Sequence, residues 1–369
     1  MRTRIAVFIA IIQTILIAGH AAIYETWIHF WGAPGADVRV WVKIAVATLA
    51  VSFVAATMIG FRYSNWAVRA FYTVAAGWLG FLSFLFFASC ACWIAGGALH
   101  LAGVRGADRV LVATLFGAAI AAGVYGIANA ARTRVVQASV KLENLPESWR
   151  GRTAAVVSDL HLGHVRGYGF ARKIARMVSE LRADVVFIAG DMYDGVAGDY
   201  ARLAAPWKEC RAPLGVFFAA GNHEEFSNPQ KYFDAVASAG VRVLNNEKVT
   251  VDGMQVAGVD YRASIDAEIF AEALRRMEID PGRASILVSH APHRLPVTER
   301  AGISLQLSGH THGGQLAPFT WMVRRIFGAY AYGLHSFRKM MVYTSCGAGT
   351  WGPPMRVGTN PEIALITFE

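Results

Sequence analysis

Four long runs of uncharged, mostly apolar residues in the first third of the chain constrain its fold more than any other feature. They cover approximately residues 5–24, 40–61, 70–101 and 110–131. A helix that crosses a bilayer needs about 20 such residues, so each run is long enough to span a membrane. We therefore predict a transmembrane anchor of four helices at residues 1–131, a linker with a first edge strand at 132–150, and a globular domain at 151–369.

The composition changes at the same point in the chain. Overall, 54% of the 369 residues are hydrophobic and only 17% are charged, whereas soluble proteins have about 25% charged residues. Residues 1–149 contain 11 Lys and Arg against 5 Asp and Glu, a net charge of +6, and residues 150–369 contain 24 against 21, a net charge of +3. Because most of the positive excess flanks apolar spans, it indicates a membrane, and we expect no nucleic-acid partner. The four scattered cysteines have no zinc-binding spacing, and no disulfide framework is expected.

The distribution of positive charge predicts how the helices are oriented. Arg2 and Arg4 precede the first run, as in a secretory signal peptide, but no small-residue cleavage site follows, so we expect an uncleaved helix. Seven Lys and Arg lie near one end of the predicted spans and four near the other. The positive-inside rule then places both termini and the globular domain in the cytoplasm, with the anchor in a bacterial-type cell membrane.

Five predicted strands of the globular domain end in side chains of the kind that bind metals. A short apolar run, typical of a buried strand, precedes each of five motifs: Asp159-x-His161, Gly-Asp191, Asn222-His223, Ser-His290 and His310-x-His312. Open α/β sheets bind their ligands just beyond the carboxyl ends of their strands. The steps of 32 and 31 residues from Asp159 to Asp191 and on to Asn222 suit βαβ units. One such ending is a weak signal, but five together predict a metal site.

In this order, the five motifs resemble those of the calcineurin-like metallophosphoesterases, over about residues 135–369. The resemblance implies an α/β fold, a four-layer α/β/β/α sandwich, around a centre of two metal ions. It also implies that His223 and Asp191 are catalytic, with His223 near the substrate phosphate as a candidate general acid. Seven metal ligands follow from it, with Asp191 bridging the ions: Asp159, His161 and His312 for one, and Asn222, His290 and His310 for the other.

The ligand types indicate the cofactor and the reaction. Carboxylate, amide and imidazole ligands without thiolate suit two divalent ions of manganese, iron or zinc. Two such ions acidify a bridging water and neutralise phosphate oxygens. The expected activity is that of a phosphoric ester hydrolase, a phosphodiesterase or phosphatase, which attacks its phosphoester substrate with a metal-bridging hydroxide. Gln315 and Arg356 are further candidates for phosphate or substrate contacts.

The segment at residues 316–327 bears on the substrate. It is apolar, aromatic and basic, and it directly follows the last metal motif. One interpretation is a buried loop and helix on the sandwich. The other is an interfacial element that contacts the anionic leaflet of the membrane, since Trp, Phe and Arg are favoured at that boundary. The second interpretation makes the substrate a lipid-linked phosphoester.

Alternatives to a membrane-anchored phosphoesterase stay open. A lipid-nucleotide pyrophosphatase that acts on a UDP-sugar lipid would use related chemistry, although no segment is suited to reading a nucleotide base. A membrane regulator that binds a ligand without turnover is disfavoured by the complete ligand set. A transporter is disfavoured because no Asp or Glu lies deep in an apolar run.

Overall fold

The computed structural model describes residues 2–225 and 228–369, and the chain divides into two compact units. The first unit ends at residue 128 and includes residues 352–355, and the second contains residues 129–351 and 356–369. Four long helices lie in the amino-terminal part of the chain: α1 Arg2–Trp31, α2 Ala36–Gly60, α3 Trp66–Leu101 and α4 Asp108–Ala130. All four are long and apolar enough to cross a membrane, as predicted.

The helices of the first unit expose apolar side chains and pair their polar ones. Phe8, Trp41 and Ile94 are among the large apolar side chains with more than half of their surface exposed, which suits a lipid solvent rather than water. Polar side chains form hydrogen bonds between helices. The indole N–H of Trp78 donates to His20 at 2.8 Å, and the indole N–H of Trp93 donates to Thr26 at 2.9 Å. Such interhelical hydrogen bonds are typical of helix packing in membranes.

The first helix is longer than predicted. It continues beyond the predicted end at residue 24 to Trp31, and the rings of Trp27 and Trp31 stack 5.0 Å apart within α1. The helix stops where Gly32 and the following Ala-Pro-Gly sequence begin, since glycine and proline both disfavour continuation of a helix.

Twelve strands and seven helices make up the described part of the second unit. The strands are β1 Arg134–Val140, β2 Thr153–Val157, β3 Val185–Ala189, β4 Val216–Ala219, β5 Arg242–Val243, β6 Glu247–Val251, β7 Met254–Val259, β8 Ser285–Ser289, β9 Leu305–Ser308, β10 Gly333–Phe337, β11 Met340–Thr344 and β12 Glu362–Phe368. The helices are α5 Tyr168–Glu180, α6 Tyr200–Ala204, α7 Gln230–Ser238, α8 Tyr261–Ile265, α9 Ala267–Arg276, α10 Leu295–Arg300 and α11 Phe319–Phe327.

The strands form two six-stranded sheets whose side chains alternate between two faces. One sheet has the order β1-β12-β2-β3-β4-β5 and the other the order β10-β11-β9-β8-β7-β6. In β2, Val156 faces the core between the sheets, while Val157 faces the outer core, where Ile174 of α5 packs. Leu287 of the second sheet packs with Phe270 of α9 on the opposite outer face. This alternation produces the four layers, and the predicted α/β/β/α sandwich is confirmed.

Parallel pairing brings the functional loops to one edge of each sheet. Strands β2, β3 and β4 run parallel to one another, and so do β7, β8 and β9. The carboxyl ends of parallel strands lie side by side, so the loops that follow them are neighbours. The predicted metal ligands lie in these loops.

Candidate metal centre

The loops after the strands bring most of the predicted metal ligands together, in three compact groups of side chains that could hold a metal ion. In each group the candidate ligand atoms lie within 4.8 Å of one another. The first two groups contain six of the seven predicted ligands, and the third includes the predicted catalytic histidine. The groups are Asp159 with His161 and His312, Asp191 with His290 and His310, and His161 with Asp194 and His223.

Asp191 belongs to the second group and also lies beside the first. Its Oδ2 atom is 3.1 Å from Nε2 of His290 and 3.8 Å from Nε2 of His161. Within the first group, the Nε2 atoms of His161 and His312 face each other at 3.1 Å. The bridging role that the family resemblance implies for Asp191 stays a prediction.

Asn222, the remaining predicted ligand, lies beside the second group. Its Oδ1 atom is 3.0 Å from Nδ1 of His310, and the same Nδ1 atom is 3.3 Å from Nε2 of His290. The amide oxygen and the two imidazoles therefore point toward one region, as the second set of predicted ligands requires.

Tight backbone turns place most of these side chains. Five of the seven predicted ligands have φ between +48° and +69°, and these are Asp159, His161, Asp191, His310 and His312. Each such non-glycine residue is strained by about 1–3 kcal/mol. Hydrogen bonds to the site carboxylates hold the turns: the amide of His310 donates to both oxygens of Asp159 at 3.1 Å, and the amide of His223 donates to Asp191 at 3.0 Å. The carboxylates therefore shape the loops as well as the site.

Two glycines allow the loops to come this close. A methyl group at Gly221 would collide with the carboxylate of Asp191, and one at Gly309 would collide with the carboxylate of Asp159. Only glycine leaves room for these contacts. The two positions could not be assigned such a role from the motifs alone, because the colliding groups are distant in sequence.

Glu224 ties two of the loops together. Its buried carboxylate accepts hydrogen bonds from the amides of Asp191 at 3.0 Å, Tyr193 at 2.9 Å and Gly221 at 2.8 Å. Burial and the neighbouring charge of Asp191 raise the pKa of Glu224 to about 7, against the effect of the amide donors. The Asn-His-Glu sequence thus combines a candidate ligand with a group that fixes the ligand loops.

The electrostatics of the site fit divalent cations. Asp159 and Asp191 are almost fully buried, and in the described part of the chain their ion-pair partners are histidines, not Lys or Arg. Burial lowers the pKa of His290, but the charge and hydrogen bond of Asp191, together with the charge of Asp159 and the carbonyl of Ala189, outweigh burial and raise this pKa to about 10. Buried carboxylates need a cationic partner or a metal, and the oxygen and imidazole donors suit manganese, iron or zinc. The residues present therefore fit the implied ions.

His223 lies at the site with one ring nitrogen turned inward. Its Nδ1 atom lies 3.1 Å from the backbone carbonyl of Asp194, to which it donates, and Nε2 is 4.0 Å from Oδ2 of Asp191. Burial lowers the pKa of His223, although the charges of Asp191 and Asp194 oppose this effect. In the neutral ring, the proton is on Nδ1 and Nε2 is the acceptor.

Asp194 is a functional candidate that the sequence interpretation missed. Its Oδ1 atom lies 3.3 Å from Nδ1 of His161 and 3.8 Å from Nδ1 of His223. A carboxylate behind a ligating imidazole orients the ring and makes it a better ligand. The available signal was the second Asp of the Asp-Met-Tyr-Asp sequence that begins at Asp191.

We expect Asp194→Asn to weaken metal binding, because an amide holds the ring of His161 less firmly than a carboxylate does. The loss should be about 10- to 100-fold in metal affinity, with the fold intact. Metal content measured over graded Mn²⁺ concentrations checks this. Asp199→Asn, which changes a capping residue of α6 in the same loop region, is the matched control. Equal metal affinity in both variants would contradict the role of Asp194.

Gln315 and Arg356, predicted as phosphate or substrate contacts, have other partners in the structure. The side chain of Gln315 exchanges two hydrogen bonds with the backbone of Trp351, both 2.9 Å long. Arg356 is fully buried and donates to backbone carbonyls, including that of His312 at 3.1 Å. The prediction of direct contacts is corrected for Arg356, because its donors are used inside the fold. Both side chains support loops that frame the site.

Aromatic side chains form walls on two sides of the site. Tyr261 lies 5.4 Å from the ring of His310, and His293 lies 5.4 Å from the ring of Phe327 and 5.9 Å from that of His310. On the other side, Trp351 lies 6.1 Å from the ring of His223. No local motif distinguishes these residues, which explains why the sequence did not predict them.

Comparison with known proteins finds relatives with the same kind of domain. Residues 152–314 match the family described as calcineurin-like phosphoesterase. The chain is 33% identical over 283 residues to a Danio rerio protein named transmembrane protein with metallophosphoesterase domain, which covers 72% of this chain and 64% of that one. It is 31% identical over 247 residues to an uncharacterized metallophosphoesterase of Campylobacter jejuni, which covers 66% of this chain and 65% of that one.

A third relative, an uncharacterized metallophosphoesterase of Aquifex aeolicus, is 29% identical over 256 residues, which covers 68% of this chain and 97% of that one. By contrast, the chain matches slightly less than two thirds of the length of the Danio rerio and Campylobacter jejuni proteins. The names of all three relatives contain the word metallophosphoesterase.

Proposed function

Because the chain carries a calcineurin-like metallophosphoesterase domain, we propose that it is a membrane-integrated phosphoester hydrolase that uses two divalent metal ions. The position of Asp191 supports the proposal most directly. A single carboxylate oxygen lies 3.1 Å from an imidazole nitrogen of one ligand group and 3.8 Å from one of the other. A carboxylate between two sets of converging donors is suited to hold two cations together.

Two sets of side chains would hold the two ions. Asp159, His161 and His312 would hold one ion, and three further side chains, Asn222, His290 and His310, would hold the other, with Asp191 between them. When bound, the two ions would polarise the phosphoester and lower the pKa of a water molecule. The backbone turns and buried carboxylates already fix the donors in place, so little rearrangement is needed on binding.

His223 is suited to move a proton at the leaving oxygen. Its Nε2 atom faces the site while Nδ1–H is held by the carbonyl of Asp194. To donate, Nε2 must first carry a proton. Burial lowers the pKa of His223 and so disfavours the imidazolium form, and the charges of Asp191 and Asp194 offset part of this effect. A general acid of this kind contributes about 10²–10⁴-fold to a rate.

We further propose that the substrate is a lipid-linked phosphoester and that the catalytic domain lies in the cytoplasm. The four candidate spans tether the domain to a membrane, and the walls of the site include the apolar ring of Phe327. The excess of Lys and Arg near one end of the spans, seven against four, supports the orientation.

Removal and return of metal tests the proposed hydrolysis. The full chain in lipid nanodiscs, stripped with a chelator, should lose hydrolysis of an aryl phosphodiester and regain it with Mn²⁺. Elemental analysis should find two ions per chain in the active form. A protein that binds two ions but hydrolyses neither aryl nor lipid phosphoesters would instead favour a regulator that binds without turnover. Turnover that survives complete removal of metal would refute the proposed chemistry.

A further inference from the structure

Helix α11 exposes the side chains that a helix normally buries. None of the residues Phe319–Phe327 is buried, and the helix contacts mainly the turns at residues 312–314 and 328–331. Among the described residues from 132 to 369, ten large apolar side chains are exposed. Four of them belong to α11: Phe319, Trp321, Met322 and Ile326. A surface helix of a soluble domain normally turns such side chains toward the core.

The exposed face of α11 combines apolar and cationic side chains. At 100° per residue, Trp321, Met322 and Ile326 lie along one continuous arc of the helix. Arg324 and Arg325 are also exposed, and the guanidinium of Arg325 lies over the ring of Trp321 at 5.4 Å. No acidic residue occurs in the helix. A face with Trp, aliphatic side chains and Arg is typical of helices that lie in the interface of an anionic bilayer.

We propose that α11 docks on the surface of an anionic lipid bilayer, with its apolar arc among the headgroups and its two arginines on lipid phosphates. The occupant is a bilayer because the same chain has four helices that are suited to cross one. The positive charge of Arg324 and Arg325 complements the negative surface potential of anionic lipids, which attracts basic segments that lie close to the membrane.

Both ends of α11 are next to the metal centre. At its start, Thr320 lies so close to the turn that carries His312 that a Cβ on Gly314 would be 2.5 Å from the Thr320 Cα. At its end, the half-buried ring of Phe327 lies 5.4 Å from His293 and 6.4 Å from the predicted ligand His310. A headgroup at α11 would therefore be beside the site. That lipids supply the phosphoester rests on the proposed function, whereas the docking itself does not.

Quenching by labelled lipids tests the docking. Met322→Cys carries a bimane fluorophore in the full chain, in nanodiscs that hold one copy and contain lipids with a nitroxide near the headgroup. Ile269→Cys, at another exposed apolar residue of the second unit on α9, is the matched control, and the signal of the unsubstituted chain is subtracted. We expect quenching at residue 322 to be several-fold stronger than at residue 269 in discs with phosphatidylglycerol. Arg324→Glu with Arg325→Glu should remove most of it.

Two results would overturn the docking. One is quenching at residue 322 that is no stronger than at residue 269 in the anionic discs. The other is a label at residue 322 that is protected from a water-soluble quencher but not quenched by the lipid nitroxide, since another protein surface would then cover α11.

Activity in the same discs separates the docking from the proposed function. We expect Trp321→Ser with Arg325→Glu to lower hydrolysis of a lipid phosphodiester about tenfold relative to hydrolysis of a soluble aryl phosphodiester. Lipid quenching without any hydrolysis would refute the proposed function and leave the docking intact. Hydrolysis of lipid without quenching at residue 322 would refute the docking and leave the function intact.

Discussion

Asp191→Asn is expected to lower kcat/KM for phosphoester hydrolysis by about 10³-fold or more, because it removes the charge shared by both ligand groups. Oδ2 of Asp191 lies 3.1 Å from Nε2 of His290 and 3.8 Å from Nε2 of His161. An amide has one oxygen where the carboxylate has two, so it cannot serve both groups while it also accepts the amide N–H of His223. Its NH₂ group would also repel a cation.

The same substitution should change metal content more than stability. The amide oxygen can keep the 3.0 Å hydrogen bond from the His223 N–H, and burial of a neutral amide is less unfavourable than burial of a carboxylate. We therefore expect a folded protein that binds fewer than two ions per chain, measured by elemental analysis beside kcat/KM and the melting temperature. Asp234→Asn, at an exposed residue of α7, is the control and should behave as the original chain. Two tightly bound ions and undiminished turnover in Asp191→Asn would contradict the bridging role.

The strands and the ligand motifs were predictable because their signals are local. Ala154–Val157, for example, is an apolar run followed after one serine by Asp159 and His161, and the strand β2 is found at Thr153–Val157. The run needs no distant partner to be recognised as a buried strand. The family resemblance then supplied the grouping of the ligands, which spacing alone does not determine.

Short and partly exposed elements were missed for the opposite reason. Strand β10 has the sequence Gly-Leu-His-Ser-Phe and no fully buried residue, so it lacks the alternation that identifies a strand. Helices α6 and α8 have five residues each, too few to show a helical period. Their starts are capped by Asp199 and Asp260, which shows that capping, and not an apolar pattern, defines them.

The side chains that support the metal ligands could not be predicted from local sequence patterns either, because their contacts join residues that are far apart in the chain. Asp194 touches His161 from the loop after β3, and Glu224 joins that loop to the one after β4. For α11, one interpretation of the sequence predicted a buried loop and helix on the sandwich, and the other predicted an interfacial element at the membrane. The exposure of Trp321 and Ile326 is what favours the interfacial interpretation over the buried one.

Arg356 joins several loop carbonyls through one buried side chain, and we expect Arg356→Met to destabilise the second unit by about 3–5 kcal/mol. The guanidinium is fully buried, and Nη2 donates to the carbonyls of Cys346 and Gly349 at 2.6 Å each. Nη1 donates to the carbonyl of His312 at 3.1 Å. Methionine would leave these buried carbonyls without donors, and each unsatisfied group is unfavourable by about 1–3 kcal/mol.

Arg356→Met should also weaken metal binding. The loop that Arg356 holds donates two backbone hydrogen bonds to the residues just after β2. They run from Ala348 to Ser158 and from Gly349 to Asp159, and both are 2.9 Å long. Nη2 of Arg356 is also 3.2 Å from Nδ1 of His312. When the guanidinium is removed, we therefore expect the two ligands Asp159 and His312 to become mobile and metal affinity to fall together with stability.

Arg356→Lys separates the geometry of the guanidinium from its charge. Lysine keeps the charge, but its three donors radiate from one atom and cannot span carbonyls that a planar fork reaches from three nitrogens. We expect Arg356→Lys to lose most of the stability that Arg356→Met loses, measured as melting temperature and as faster hydrogen exchange of the amides at residues 346–349. Arg338→Lys, at an exposed arginine, should change neither. If Arg356→Lys left both measures and the metal affinity unchanged, the charge alone would suffice, and the carbonyl contacts of the fork would not be what holds Asp159 and His312 in place.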